Sequence, residues 1–322
     1  MAYKKKLILL SSLIAALAVV YSMTFIFAPE RRGARSAVYS WLDSRQRDRI
    51  GSIIIDGGEQ PIELLRRGGA WFVLHNGTEY PARTLRVEDF IDILTRRSSF
   101  PLRATSAASH ERLGVSETLA AKITVFGEEG VRAAPMLELL VGFTDPTGQE
   151  VFLRRSGQND VRSGERRFLS YALSSVQSWF NLRLIPESER GRLDLANIQR
   201  VRVYPQPGAI PQIFTRAGSQ WHISGIYVEN PDMIRVDSYI RAIINTEGDD
   251  FASGISPNDP MFEHSRILLE LGDGTIKTIH LSEACEETGR RFAVVSGSHH
   301  VYSLTGWAAQ RLFRDAGEFE RL

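Results

Sequence analysis

Residues 61–73, PIELLRRGGAWFV, and residues 211–223, PQIFTRAGSQWHI, share one pattern at a distance of 150 residues. In each, a proline opens a short run of apolar residues. A glycine-bearing turn follows, and a tryptophan then stands inside a second run. Branched and aromatic residues bounded by Gly read as two strands of a hairpin. The pattern extends outward in both directions. Before it stand Ile53-Ile54-Ile55 in one place and Ile198 to Val203 in the other, each short enough for a buried strand. After it come Val87, Phe90, Ile91 and Leu94, at i, i+3, i+4 and i+7, one apolar face of a helix. Ile234, Tyr239, Ile240, Ile243 and Ile244 answer them in the second copy.

The later parts of each copy read as further strands and a short helix. Ala121 to Phe126, Leu137 to Phe143 and Glu150 to Arg154 are strand candidates, the last two joined by a turn at Thr144 to Gly148. Arg166 to Tyr171 reads as another strand, and Ser174 to Leu182 as a helix with Ser174 and Gln177 spaced as a capping box. In the second copy Ile267 to Leu271 and Ile276 to Leu281 form a hairpin. There Arg290-Arg291-Phe292 matches Arg166-Arg167-Phe168, and Thr305-Gly306-Trp307 matches Ser174 to Trp179. The period is about 150 residues at the front and about 125 at the back, longer than the roughly 20 to 50 of solenoid repeats, so the unit is a domain.

The expected fold is therefore α+β: two repeated units of mostly antiparallel sheet with helices on one face. Residues 36–190 form the first and 191–322 the second, with Pro186 to Leu193 as the linker. Ile53, Ile55, Trp71, Val73, Val201, Val203, Trp221 and Ile223 are expected to be buried.

Residues 1–35 are of a different kind. Leu7 to Ala28, LILLSSLIAALAVVYSMTFIFA, has no charge and follows Lys4, Lys5 and Lys6. A helix rises about 1.5 Å per residue, so roughly 20 apolar residues cross the hydrocarbon of a bilayer. The run is longer than the apolar part of a signal peptide, and bulky residues (Phe25, Ile26, Phe27) stand where a cleavage site needs small ones. It reads as an uncleaved single span that anchors the chain in a membrane, with the basic tail inside and everything after the span outside. Flanking charge alone does not orient it, because Arg31, Arg32 and Arg35 balance the lysines. Trp41 fits either the membrane interface or packing against the domain.

The whole chain has 39 basic and 38 acidic residues, and that balance excludes the basic excess of a nucleic-acid binder. At 43% apolar it has ample core material. A single cysteine, Cys285, forbids an internal disulfide. No phosphate-binding Gly-x-x-x-x-Gly-Lys, Gly-x-Ser-x-Gly or His-Glu-x-x-His is present. His299 and His300 are adjacent, which on a strand places them on opposite faces. His280 and Cys285 fall short of the three or four ligands of a zinc site. Asp249-Asp250 and Asn258-Asp259 lack the spacing of a calcium loop and read as solvated turns. Trp71 and Trp221 allow a sugar-binding surface, although a tryptophan on a recurring strand is more often core. Asn76-Gly77-Thr78 fits a glycosylation sequon. No catalytic, cofactor-binding or metal-binding residue is assigned, and no cofactor is expected.

An isoleucine-rich strand, a short hairpin, Gly-x-Trp, a helix, and a later strand pair before a Trp-bearing helix give a recognisable order. It is carried by Ile53 to Ile55, Gly69-Ala70-Trp71, Leu113-Gly114-Val115, Val141-Gly142 and Glu150 to Leu153. In that order the chain resembles the bacterial family called domain of unknown function 4340. The family pattern Tyr-Gly-Leu is replaced here by Leu113-Gly114-Val115, and the second copy has no clear counterpart. The resemblance implies an amino-terminal span, an extracytoplasmic body and a gene often placed beside ABC transporters of gliding-motility or auxiliary type. It brings no catalytic residues. The expected function is a non-enzymatic accessory or interaction protein, whose partners are the bilayer, through Leu7 to Ala28, and ABC permease or auxiliary subunits. The alternative is an envelope ligand (glycan) binding module that uses a groove between the two repeats.

Overall fold

The computed structural model describes residues 17, 38–128, 134–186 and 193–321. Apart from Leu17, the anticipated span from Leu7 to Ala28 lies outside the described residues, among which no helix is long and apolar enough to cross a membrane. The chain divides into two compact units, one ending at Trp179 and the other beginning at Phe180. Residues 187–192 of the expected linker also lie outside the described set.

The first unit carries strands β1 (Val38–Tyr39), β2 (Ile50–Asp56), β3 (Ile62–Arg67), β4 (Ala70–His75), β5 (Thr78–Pro81), β6 (Ser98–Ser99), β7 (Leu102–Ala104), β8 (Ala121–Gly127), β9 (Leu137–Thr144), β10 (Glu150–Arg155) and β11 (Val161–Glu165). Helix α1 (Thr84–Thr95) lies between β5 and β6, and helix α2 (Arg167–Ala172) follows β11. Nine of these strands make one sheet in the order β5-β4-β3-β2-β8-β9-β10-β11-β7, while β1 and β6 pair by themselves.

The second unit carries β12 (Ile198–Tyr204), β13 (Gln212–Ala217), β14 (Gln220–Ser224), β15 (Asp250–Phe251), β16 (Ser265–Leu271), β17 (Ile276–Leu281), β18 (Arg291–Val295) and β19 (Val301–Leu304). Helix α3 (Met233–Ile244) follows β14, and helix α4 (Gly306–Gln310) follows β19. Its sheet runs β14-β13-β12-β16-β17-β18-β19-β15. With β5 set aside, the two orders coincide strand for strand. Every pairing in both sheets is antiparallel.

Registers agree as well. Arg66 faces Trp71 across β3 and β4, and Arg216 faces Trp221 across β13 and β14. Each tryptophan sends its indole N–H to an acid on the following helix, Trp71 to Glu88 Oε1 at 3.2 Å and Trp221 to Asp237 Oδ1 at 2.7 Å. One face of each sheet is apolar, because side chains alternate along a strand. Ile53, Ile55, Leu64, Ile123 and Val125 form it in the first unit, and Val201, Val203, Phe214, Ile267 and Leu269 in the second, all buried. Helices α1 and α3 bury Val87, Phe90, Ile91 and Leu94 and their equivalents Val236, Tyr239, Ile240 and Ile243. Full burial of a side chain such as Phe90 stabilises by about 1.5–3 kcal/mol.

Both helix starts are secured from far downstream. The Arg83 amide donates to the Trp179 carbonyl at 2.7 Å, and the Asp232 amide donates to the Phe319 carbonyl at 2.7 Å. The same two rings pack on the helices, Trp179 5.7 Å from Phe90 and Phe319 5.2 Å from Tyr239.

Four expectations change. Arg166 to Tyr171 is not a strand: Arg167–Ala172 is helical, with Phe168, Tyr171 and Ala172 buried at helical spacing. The helix expected from Ser174 is a short 3-10 turn, Val176–Trp179, and the Ser174 hydroxyl accepts from the Trp179 indole at 2.7 Å. The back half of the match also shifts. Arg291 lies on β18, the counterpart of β10, so α4 corresponds to α2 and Phe319 to Trp179. Finally Ile234 is exposed, with Val236 in its place, and Ile223 is only partly buried. Trp41 packs internally, edge-on to Tyr39 and Phe100 at 5.1 and 5.5 Å.

Candidate functional site

The residues singled out in the sequence are scattered. Trp71 and Trp221 are both buried core residues, which removes them from any sugar-binding surface. His300 is half-buried, its ring 5.3 Å from that of Phe251, and burial pushes its pKa down. Cys285 is exposed in the loop after β17, its thiol held below the ordinary value by hydrogen bonds from the Thr288 hydroxyl and the amides of Thr288 and Glu287. Asp249 pairs with Arg290 at 2.9 Å, and Asp259 caps a short turn by accepting from the Met261 amide at 2.9 Å. Among the described residues no group of three or more His, Cys, Asp or Glu is placed to hold a metal ion.

A concave corner lies on the second unit, on the sheet face opposite α3. Alternation along β12 and β16 turns Tyr204 and Arg266 away from the core, and the register pairs Tyr204 with Arg266 and Arg266 with His280. The Arg266 guanidinium sits 4.5 Å from the Tyr204 ring centroid, a cation–π contact. With Gly208, Glu263 and His264 these residues line a cavity of about 410 Å³. Burial lowers the His280 pKa and the neighbouring Arg266 charge lowers it further, against a backbone hydrogen bond with Phe262 that raises it. Next along this face, Glu270 accepts from Arg202 at 2.7 Å and from Arg200 at 3.3 Å. Such a corner can hold a small anionic or aromatic group. No sequence motif marks it: the strand read there, Ile198 to Val203, stops short of Tyr204, and Arg266 and His280 stand on two other strands.

The second notable feature is a sheet edge. In the first unit Asn76 (φ 51°) and Gly77 (φ 76°) make a tight reversal after β4, and β5 returns to cover it. Two successive positive φ angles are what a two-residue hairpin of the right twist requires. In the second unit Gly225 (φ 85°) turns the chain away after β14. A Cβ there would stand 1.9 Å from the Pro211 carbonyl oxygen, so the position demands glycine. Beyond it Tyr227 is 82% exposed, and Ile210 and Ile234 are 73% and 78% exposed. Among the described residues no strand pairs with the outer edge of β14.

The family described as "Domain of unknown function (DUF4340)" matches residues 71–261, from the start of β4 to the short turn before β16. No curated protein and no solved structure matches the chain.

Proposed function

The chain belongs to the DUF4340 family, and from that premise we propose that it is a membrane-anchored, extracytoplasmic, non-catalytic accessory protein of an envelope ABC transport assembly of gliding-motility type. The amino-terminal anchor in this reading is Leu7 to Ala28, uncharged and preceded by three lysines. The two units, alike in strand order, arose in this reading by duplication of one α+β domain.

The observation that carries an interaction role is the open outer edge of β14, where the chain turns away at Gly225 toward the exposed Tyr227. Large apolar side chains held in water beside unpaired backbone groups are features of a surface that meets another protein.

The test has two arms. A phosphatase fused after Leu322 is expected to be active outside the cytoplasm, and activity only of a cytosolic reporter would overturn the topology. The full chain purified from detergent-solubilised membranes is expected to bring a permease and its ATPase in stoichiometric amounts. Recovery of the chain free of any transporter subunit would overturn the assembly.

A further inference from the structure

The two units answer one question differently: what covers the strand that carries the buried tryptophan. In the first, β5 lies on β4 with Val73 opposite Tyr80, and the Ala82 amide donates to the Trp71 carbonyl at 2.9 Å. That bond shows that Trp71, and hence Val73 two residues on, point their backbone groups toward β5, since these groups alternate sides along a strand. Under that cover Val73 is 0% and Tyr80 8% exposed. The equivalent residues in the second unit are Trp221 and Ile223, by the matching registers of the two hairpins. There the chain leaves at Gly225, β14 is the last strand, and Ile223 stays partly exposed.

We infer that the outer edge of β14 is a docking site for an extended segment of a partner protein, which adds to the sheet antiparallel to β14 as β5 adds to β4. Addition of a strand to an exposed edge draws affinity from main-chain hydrogen bonds and specificity from alternate side chains. The first unit supplies the template for that side-chain pattern. One aromatic residue occupies the Tyr80 place, over Ile223. On the opposite face the template changes: in the first unit β5 brings Glu79 to Arg67 at 3.7 Å, whereas the matching register puts Ala217 in the Arg67 place. The segment that fits β14 is therefore specified by its aromatic residue and its extended backbone.

This inference rests on the interaction reading above and names the surface used. Its test is independent of transporter co-purification, because it needs only the purified chain. The probe is a synthetic peptide, NGTEYPA, with the sequence of residues 76–82, labelled at its amino end and added to the full chain in detergent. Saturable binding is expected by fluorescence anisotropy. Ile223→Pro removes one outward amide while leaving the bonds to β13, a substitution that edge strands tolerate, and is expected to weaken binding at least tenfold. A peptide with Ala for its tyrosine is expected to weaken binding at least fivefold.

Amide exchange on the unsubstituted protein gives a readout that no folding defect can imitate. The amides of Trp221 and Ile223 are expected to slow when the peptide is added. Absence of saturable binding at millimolar peptide, or protection confined to other strands, would overturn the proposal. So would a homodimer that Ile223→Pro dissociates, since the occupant would then be a second copy of this chain.

Discussion

Trp221 and Asp237 are joined by a 2.7 Å hydrogen bond that ties the edge hairpin of the second unit to its helix. The first unit repeats the tie between Trp71 and Glu88 at 3.2 Å, but there Glu88 also accepts from Arg47 at 2.9 Å. Loss of a bond to a charged acceptor costs about 1.5–3 kcal/mol when the acceptor is left without a substitute. Trp221→Phe is therefore expected to destabilise the second unit by about 2 kcal/mol. Trp71→Phe is expected to cost the first unit less, because Arg47 continues to satisfy Glu88. Urea denaturation of the two variants, followed through the remaining tryptophans, checks the order.

Gly225 and Gly218 both hold positive φ, at 85° and 65°, yet their surroundings differ. Around Gly218 nothing lies within 4 Å of an added Cβ, whereas at Gly225 the Pro211 carbonyl stands in its place. Gly218→Ala is expected to cost about 1 kcal/mol, from backbone conformation alone. Gly225→Ala adds a steric clash and is expected to cost at least about 2–3 kcal/mol. Thermal denaturation of the pair separates strain from clash.

Tyr239 is buried with its hydroxyl donating to the Leu312 carbonyl at 2.7 Å. Burial pushes its pKa up, partly opposed by the charge of Arg314. A folded-state pKa above the unfolded one gives stability that is complete below the unfolded value, about 10 for tyrosine, and is lost as pH rises past it. The second unit is therefore expected to loosen at alkaline pH. Tyr239→Phe is expected to flatten that alkaline limb while costing about 1 kcal/mol at neutral pH for the lost hydrogen bond.

The turn between β9 and β10 has the opposite sensitivity. Asp145 accepts from the Thr147 hydroxyl at 2.5 Å and from the amides of Gln149 and Glu150, each at 2.9 Å. These bonds, that to Thr147 first, pull its pKa down to about 2. A depressed carboxyl contributes order that is present above its ordinary pKa of about 4 and disappears as pH falls toward 2. Exchange of the Gln149 and Glu150 amides is expected to accelerate across that window. In Asp145→Ala it is expected to be fast throughout.

Much of this fold was legible because two copies check each other. The isoleucine strand, the hairpin with its tryptophan and the amphipathic helix all carry strong periodicity, and the structure places them as read. The misreadings fall where periodicity is short or where polar residues sit in the core. Arg166 to Tyr171 offered six residues, too few to distinguish a strand from the helix that places Phe168 and Tyr171 inward. Strand β11, VRSGE, escaped notice because Ser163 and Gly164 are buried beside Val161. Strand β5 hid in Thr78 to Pro81, whose glutamate and proline argue against a strand except at an edge. Ile223 reads as core by its match to Val73, and only the topology reveals the missing cover. The cavity at Tyr204, Arg266 and His280 joins residues from three strands and is invisible to a motif search.

The rings of Trp179 and Phe319 act as latches, and latches that come last have a kinetic meaning. Each arrives only after every strand of its own sheet, yet its carbonyl fastens the first turn of a helix made long before. A polypeptide delivered amino end first, with domains folding as units, leaves α1 unfastened until Trp179 emerges and α3 unfastened until Phe319 does. Truncation before Trp179 or before Phe319 is accordingly expected to leave the first turn of the matching helix open to amide exchange.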